Sequence, residues 1–416
     1  ALTEPDTLAP KACARALAAL AREDVPDEVA MAYGRKLSFG RDYIIPTPFD
    51  PRLIYVIPPA VAKAGMDTGV ARRPIIDLKA YEQSLKARMD PTASILQGIH
   101  ARAKQAQARM IFAEGDDPRV LRAAVAYQRA GLGKALVVGR EADVKEKLEA
   151  AGLSDAVREL EIVNAANTRH LAQYKDFLYQ RLQRQGFDRH DVHRLATRDR
   201  HVFSALMLQH GHGDGLITGV TRKSAHVLSL INHVFDAKAS DGAVGVTAVL
   251  HKGRIVLIAD TLVQEWPEPE DLATIAIRAA GVARSLGLEP RVAFVSFSTF
   301  GYPVSERATK MHVAPQVLDG MKVDFEYEGE MTVDVALNPE VMAQYPFCRL
   351  SGPANILVVP ARHSASISVK LMQEMAGATV IGPILAGVTK PIQICSTNST
   401  VNDILNMAVM AACRVG

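Results

Sequence analysis

Residues 110–139, MIFAEGDDPRVLRAAVAYQRAGLGKALVVG, decide the fold. A short apolar run ends at Glu114-Gly115. DDPRVLRAAVAYQRAGL then reads as a helix. KALVVG returns as a second strand, and EADVKEKLEAAGL follows as a second helix. Strand–helix alternation of this kind argues for a parallel sheet with helices on its faces. The rhythm recurs in DGLITG, GAVGVTAVLHKGRIVLIAD, DLATIAIRAAGVARSLGL, RVAFVSFSTFG, ANILVVP and ISVKLMQEMAG. GVTAVLHK and RIVLIAD meet at Lys252-Gly253, a pair suited to a hairpin turn.

Upstream of residue 91 the pattern changes. Residues 10–22, PKACARALAALAR, read as an amphipathic helix. SFGRDYIIPTPFDPRLI is dense in Pro and Asp and reads as mostly irregular. In PPAVAKAGMDTGVA, Pro58 and Pro59 are expected to open a short helix that Gly69 closes. DLKAYEQSLKARMDP is a polar helical connector. A chain of 416 residues is long enough for two or three domains, and the main boundary falls near residue 91.

Composition removes several function classes. No apolar run approaches the ~20 residues that span a bilayer. The opening residues ALTEPDTLAP have neither the basic nor the apolar segment of a secretory signal. A formal charge of +3, spread through the chain, argues against a nucleic-acid partner. Cys13, Cys348, Cys395 and Cys413 lack metal-like spacing and read as reduced cytosolic thiols. The pairs His210/His212 and His190/His193 lack a third ligand at a familiar spacing, so no metal site is expected. There is no GxxxxGK[ST], no GxGxxG after a strand and no GxSxG. GHGDG at 211–215 precedes its strand and reads as a turn.

Ligands of open parallel sheets bind beyond the strands' carboxyl ends. Five such ends carry small polar residues: 114–119, 218–224, 296–301, 362–366 and 395–403. Gly lets a backbone approach, Ser and Thr donate hydrogen bonds, and helix N-termini attract anions, which together suit a phosphate-bearing ligand. Each alone is also explained by helix capping, as for Thr400 or Asn402 before DILNMAVMAA.

These residues carry a family resemblance. FAEGDDPRVLRAA, GDGLITG, VSFSTFG, GPANILVVPARHSASISVKLMQEM and VIGPILAGVTKPIQICSTNSTVNDILNMAVMAA resemble, in order, the phosphate acetyl- and butyryltransferase family over most of residues 95–416. The resemblance implies two three-layer α/β subdomains with mostly parallel sheets and a cleft between them, after a short mainly helical segment. It implies acyl transfer between CoA and phosphate, and association at least as dimers. It also exposes departures. Active members carry Ser-Arg-Gly-Cys before an Asp; here Ser396 and Asp403 match, and Thr397 takes the arginine's place. A hydroxyl cannot clamp a phosphoryl oxygen as a guanidinium does. Such a loss typically lowers the rate about 100-fold or more. Thr221, Arg222 and Lys223 replace Cys-His-Ser/Thr, Phe300 replaces a lysine, and Glu374 replaces an arginine.

LSFGRDYIIPTPFDPRLIYVIPPAVAKAGMDTGVA resembles the last stretch of the bacterial malic enzyme catalytic region, to which phosphotransacetylase-like domains are appended and confer inhibition by acetyl-CoA. The resemblance therefore implies four parts: 1–74, the end of the malic enzyme nucleotide-binding region; 75–94, a helical linker; 95–205 with 385–416, one subdomain; and 206–384, the other. It implies acetyl-CoA as an effector and no cofactor in this chain, with NADP and Mg or Mn held by the malic enzyme region upstream. It implies a cytoplasmic homo-oligomer, a dimer of these domains or a hexamer of the full protein. The expected acetyl-CoA contacts are Ser396, Thr397, Asn398, Asp403, Ser298, Thr299, His363 and Ser364, with Lys390 and Arg307 as mobile cations for the phosphates. Catalytic residues: none expected. A working acetyltransferase that borrows Arg222, Arg307 or Arg362, and an assembly module with a vestigial cleft, remain as alternatives.

Overall fold

A computed structural model describes residues 4–23, 39–41, 43–48, 50, 52–89, 91–235 and 242–415. It divides into two compact units. One is residues 1–94 with 252–254; the other is residues 95–251 with 255–416.

The first unit is helical: α1 (Glu4–Leu20), α2 (Leu53–Asp67) and α3 (Leu78–Met89). Its buried side chains include Leu20, Tyr43 and Leu85, and a buried Asp50–Arg52 ion pair at 2.7 Å. Pro58 and Pro59 do not open α2; they lie inside it. The helix starts five residues earlier because LIYVI extends the apolar run before them, and the carbonyls of Ile54 and Tyr55 lose their helical donors in exchange. Residues 24–38, part of the stretch expected to close a malic enzyme region, lie outside the described residues.

The division at residue 94 falls within α4 (Pro91–Ala106), most of which belongs to the second unit. Its first sheet holds β1 (Met110–Phe112), β2 (Ala135–Val138), β3 (Glu161–Val163), β4 (Gly215–Thr218) and β11 (Ile392–Ile394), in the order β11-β4-β1-β2-β3. Every pairing is parallel. The apolar runs are buried on both faces, as a covered parallel sheet requires. Met110, Phe112, Val137 and Ile217 face α5 (Pro118–Arg129), α6 (Glu141–Ala150) and α16 (Val401–Ala412). Ile111, Leu136, Leu216 and Ile394 face α7 (Leu171–Leu182), α8 (Arg189–Arg198), α9 (Arg200–Gln209) and α10 (Ser224–Ile231). The sequence assigned 206–384 to the second subdomain, but β4 lies between β11 and β1, so the change of sheet comes after it.

The second sheet runs β10-β5-β6-β9-β7-β8. Its strands are β5 (Val244–His251), β6 (Arg254–Ala259), β7 (Arg291–Val295), β8 (Glu326–Met331), β9 (Ile356–Val358) and β10 (Thr379–Ala386). β6, β9, β7 and β8 are parallel; β10 pairs antiparallel to β5. Lys252 (φ +47°) and Gly253 (φ +74°) both adopt the left-handed turn that a two-residue hairpin demands. α11 (Pro269–Ser285) and α12 (Glu306–Met321) cover one face. α13 (Val333–Leu337), α14 (Pro339–Met342) and α15 (Arg362–Ala376) cover the other. Among the described residues no helix is long and apolar enough to cross a membrane.

Candidate functional site

The site grows from the carboxyl ends of three neighbouring strands. β1 and β11 lead into α5 and α16 on one face of the first sheet, while β4 between them leads into α10 on the other. A crevice opens where neighbouring connections part in this way. Glu114, at the end of β1, is buried. Its carboxylate accepts from the Val220 and Thr221 amides at 2.9 and 2.7 Å and from Thr221 Oγ1 at 2.6 Å. Glu114 therefore pins the β4 loop and does not pair with Arg119.

Arg119 pins the other loop. It pairs with Asp117, whose carboxylate caps α5. Its Nη1 donates to the carbonyls of Thr397 and Ser399 at 2.9 and 3.0 Å. A charge-assisted donor bridging two carbonyls fixes the path of 396–399. Burial carries the Asp117 carboxyl upward, but hydrogen bonds from Arg119 and its positive charge hold it below its ordinary value. Cys395, just before the loop, is fully buried, and burial pushes its thiol far above the usual range, so it is not a nucleophile at neutral pH.

The loop closes with a capping box. The Asp403 amide donates to Thr400 Oγ1 at 3.2 Å, and the Thr400 amide donates to Asp403 Oδ2 at 2.8 Å. Capping thus uses one oxygen of Asp403, and the residue still borders a cavity of about 410 Å3. Ser396, Asn398, Ser399 and Asp403 form one wall with Asn406 and Met407. Lys370, Gln373 and Glu374 of α15 and Val380, Ile381 and Gly382 of β10 form the other. The cavity is thus bounded by the loops of one sheet and by an edge strand and helix of the other.

The expected contacts separate into groups. Ser396, Asn398 and Asp403 line the cavity together; Thr397 is beside them, with its carbonyl on Arg119. Ser298 is buried and donates to Glu330 Oε1 at 2.9 Å. Glu330 also accepts from the Gly301 amide and faces His312 Nδ1, both at 2.8 Å. Burial opposes ionisation there, and these hydrogen bonds overcome it, holding the Glu330 carboxyl below its ordinary value. Thr299 accepts from the Thr332 amide at 3.2 Å. Ser298 and Thr299 thus stabilise their own loop. His363 lies against Trp266, with ring centroids 5.1 Å apart, and Ser364 Oγ donates to the Ala361 carbonyl. Lys390 is at the amino end of β11, where its charge adds to the hydrogen bonds and charge of Arg109 that hold the Asp214 carboxyl below its ordinary value. That places it at the opposite end of the strand from Ser396. The side chain of Arg307 lies outside the described residues.

Lys370 and Gln373 were missed by sequence reasoning. With Glu374 they fall at i, i+3 and i+4 of SVKLMQEM, one face of a helix. Among the described residues one group, Asp188, His190 and Asp191, could meet a single ion. Asp188 and Asp191 already form the capping box of α8. His210 and His212 pack with Tyr174 in an aromatic cluster.

The family described as phosphate acetyl/butaryl transferase matches residues 94–412. The NADP-dependent malic enzyme of Rhizobium meliloti is 51% identical over 406 residues, 97% of this chain and 53% of that protein. This chain spans about half the length of the curated malic enzymes it matches. The phosphate acetyltransferase of Clostridium acetobutylicum is 30% identical over 331 residues, 76% of this chain and 97% of that protein. A phosphotransacetylase structure from Streptococcus pyogenes superposes with a TM-score of 0.72 at 26% identity, covering 78% of this chain and 98% of that one.

Proposed function

Since the chain belongs to the phosphate acetyl/butaryl transferase family, and matches NADP-dependent malic enzymes along nearly its whole length, we propose that it is the regulatory half of a malic enzyme that binds acetyl-CoA without transferring its acyl group. In the full protein the upstream half would convert malate to pyruvate and CO2 with NADP and a divalent metal. Acetyl-CoA bound here would shift a conformational or quaternary equilibrium felt by that half, in the cytoplasm. A useful coupling needs ~1–3 kcal/mol of differential affinity between the two states.

The charge of the cavity carries this reading. Among its described lining residues Lys370 is the single cation, set against Glu374 and Asp403. Phosphoryl and acyl-phosphate chemistry needs preorganised positive charge on the oxygens where negative charge develops. The family resemblance puts arginines at 397 and 374, where this chain has Thr and Glu. Two of the three candidate replacement arginines, Arg222 and Arg362, are engaged elsewhere, and the side chain of the third, Arg307, lies outside the described residues. Arg222 pairs with Asp199 at 3.2 Å, Arg362 lies 3.6 Å from Glu265, and Arg119 holds the loop. A thiol-release assay with acetyl phosphate and CoA tests it. Turnover is expected to fall at least about 100-fold below an active phosphotransacetylase. Turnover near the active enzyme's would sink the regulatory reading, while calorimetry must detect acetyl-CoA binding to keep it.

Self-association belongs to the same reading. Ile367, Leu371 and Met375 form an exposed apolar flank along α15, 56%, 55% and 83% exposed, which a second copy would cover. Sedimentation should report a dimer or larger, and Leu371→Asp should weaken it.

A further inference from the structure

The first sheet has a second reversal point. β2 leads into α6 on one face, whereas its neighbour β3 leads into α7 on the other. Connections that part in this way open a crevice beyond the strands' carboxyl ends. A cavity of about 180 Å3 lies there, bordered by Asp116 after β1, Gly139 and Arg140 after β2, Asn164 after β3, and Arg198 and Arg200. It is on the far side of β1 from the Ser396 loop, which follows β11 at the other edge of the sheet. Pockets for drug-sized molecules hold about 300–1,000 Å3, so this one suits a small ligand.

The corner that carries two of the arginines is fixed from within. Asp199 ends α8 and starts α9, and its carboxylate accepts from the His201 and Val202 amides at 3.0 and 3.1 Å. Arg198 and Arg200 flank that cap. Arg200 pairs with Asp116, and Arg140 pairs with Asp143 at 2.8 Å. The side chain of Arg198 makes no ion pair or hydrogen bond among the described residues. The lining therefore sets three guanidiniums against two carboxylates, and one guanidinium has no partner. The Lys147 ammonium, on the Asp116 carbonyl, adds positive charge nearby. Asn164 Oδ1 accepts from the Ala166 amide at 3.0 Å, which leaves the side-chain nitrogen as a donor.

A guanidinium presents more N–H donors than one carboxylate can take, so even the paired arginines keep donors for a ligand. A phosphoryl group is a small anion that uses several such donors at once. It carries about −1.5 to −2 charge near neutral pH and three acceptor oxygens. We propose that the Arg140–Arg198–Arg200 crevice binds the phosphoryl group of a small phosphate compound, at a site separate from the Ser396 cavity.

Calorimetry on the 416-residue chain at constant ionic strength tests this, with inorganic phosphate, glycerol phosphate and succinate as probes. At least one of the two phosphates is expected to bind. Arg198→Ala should weaken that binding about tenfold or more, as loss of charge-assisted hydrogen bonds does. It removes no polar contact of the folded chain, so thermal melting should be unchanged and the loss cannot be put down to unfolding. Lys370→Ala, in the other cavity, should leave phosphate affinity as it is. Tighter binding of glycerol phosphate marks an ester as the ligand, and equal or tighter binding of inorganic phosphate marks the free anion; either keeps the site. No binding of either phosphate, or an affinity that Arg198→Ala leaves untouched, would overturn it. A loss with Lys370→Ala in place of Arg198→Ala would put the phosphate in the Ser396 cavity and overturn it too. Succinate binding as tightly as phosphate, with the same dependence on Arg198, would make the crevice a carboxylate site instead.

Discussion

Arg119 illustrates how one residue can hold a site it does not line. Its guanidinium pairs with Asp117, so its orientation is set, and Nη1 is left to bridge the carbonyls of Thr397 and Ser399. The planar fork is what allows three partners at fixed angles; a lysine ammonium at the end of a flexible stem cannot reproduce it. Arg119→Lys should therefore leave α5 capped by Asp117 while loosening the 396–399 loop. The expected result is acetyl-CoA affinity reduced about tenfold, with global stability lowered by no more than about 3 kcal/mol, the upper worth of a hydrogen bond to a charged group. Calorimetry and thermal melting separate the two effects. Unchanged affinity would mean that the clamp does not position the loop for binding.

At the scale of elements, α9 shows what burial on every side demands. Eight consecutive residues, from His201 to Leu208, are buried in a ten-residue helix. An all-round buried helix leaves a histidine no route to water. His201 Nδ1 faces Thr218 Oγ1 on β4 at 2.6 Å. Burial is the main cause that lowers its pKa below the ordinary value, with nearby arginines adding to it and Glu114 and Asp199 opposing. An unfolded His201 takes up its proton near pH 6.5, and the folded one resists to lower pH. Its contribution is thus complete above about pH 6.5 and falls as pH drops through that range, by at most about 1.4 kcal/mol per pH unit. Melting at pH 7.5 and 5.5 should show a larger loss for the wild type than for His201→Gln; equal losses would refute the assignment. Elements of this kind were legible to different degrees. β1 and β2 announce themselves as apolar runs between turns, because a strand buried on both faces has no polar side to show. The place of β4 does not, since its partners β1 and β11 lie about 100 and 175 residues away and local pattern carries no register between them. That Ser396, Asn398 and Asp403 lie together could be read because loop and cap are adjacent in sequence. Lys370 and Gln373 could not, because a helix face lining a cavity has the same polarity as one facing solvent. Lys390 was misplaced for a different reason: proximity to Ser396 in sequence does not say which end of β11 a side chain occupies.

For the second unit as a whole, the decisive feature is that its two sheets share a core. Phe112, Val137 and Ile217 of the first sheet belong to one continuous apolar cluster with Leu257, Val292 and Ile356 of the second. A cavity built from both sheets needs that continuity, because independent motion of the halves would pull the Ser396 loop from α15. The same continuity means that damage in one sheet must be felt in the other. Phe112 is fully buried and packs edge-on to Tyr127, with ring centroids 6.0 Å apart. Phe112→Ala removes an aromatic ring that close packing cannot replace and should destabilise by about 3–5 kcal/mol. Emission of Trp266, the chain's one tryptophan, follows the second sheet while far-UV circular dichroism follows the helices of both. If the shared core makes the sheets one cooperative unit, the urea midpoints from the two signals shift down together in Phe112→Ala. A variant in which Trp266 keeps the wild-type midpoint while circular dichroism shows an earlier transition would mean that the sheets unfold separately. The cavity between them would then be a meeting of two domains, and coupling from effector to the rest of a larger protein would have to run through their relative motion.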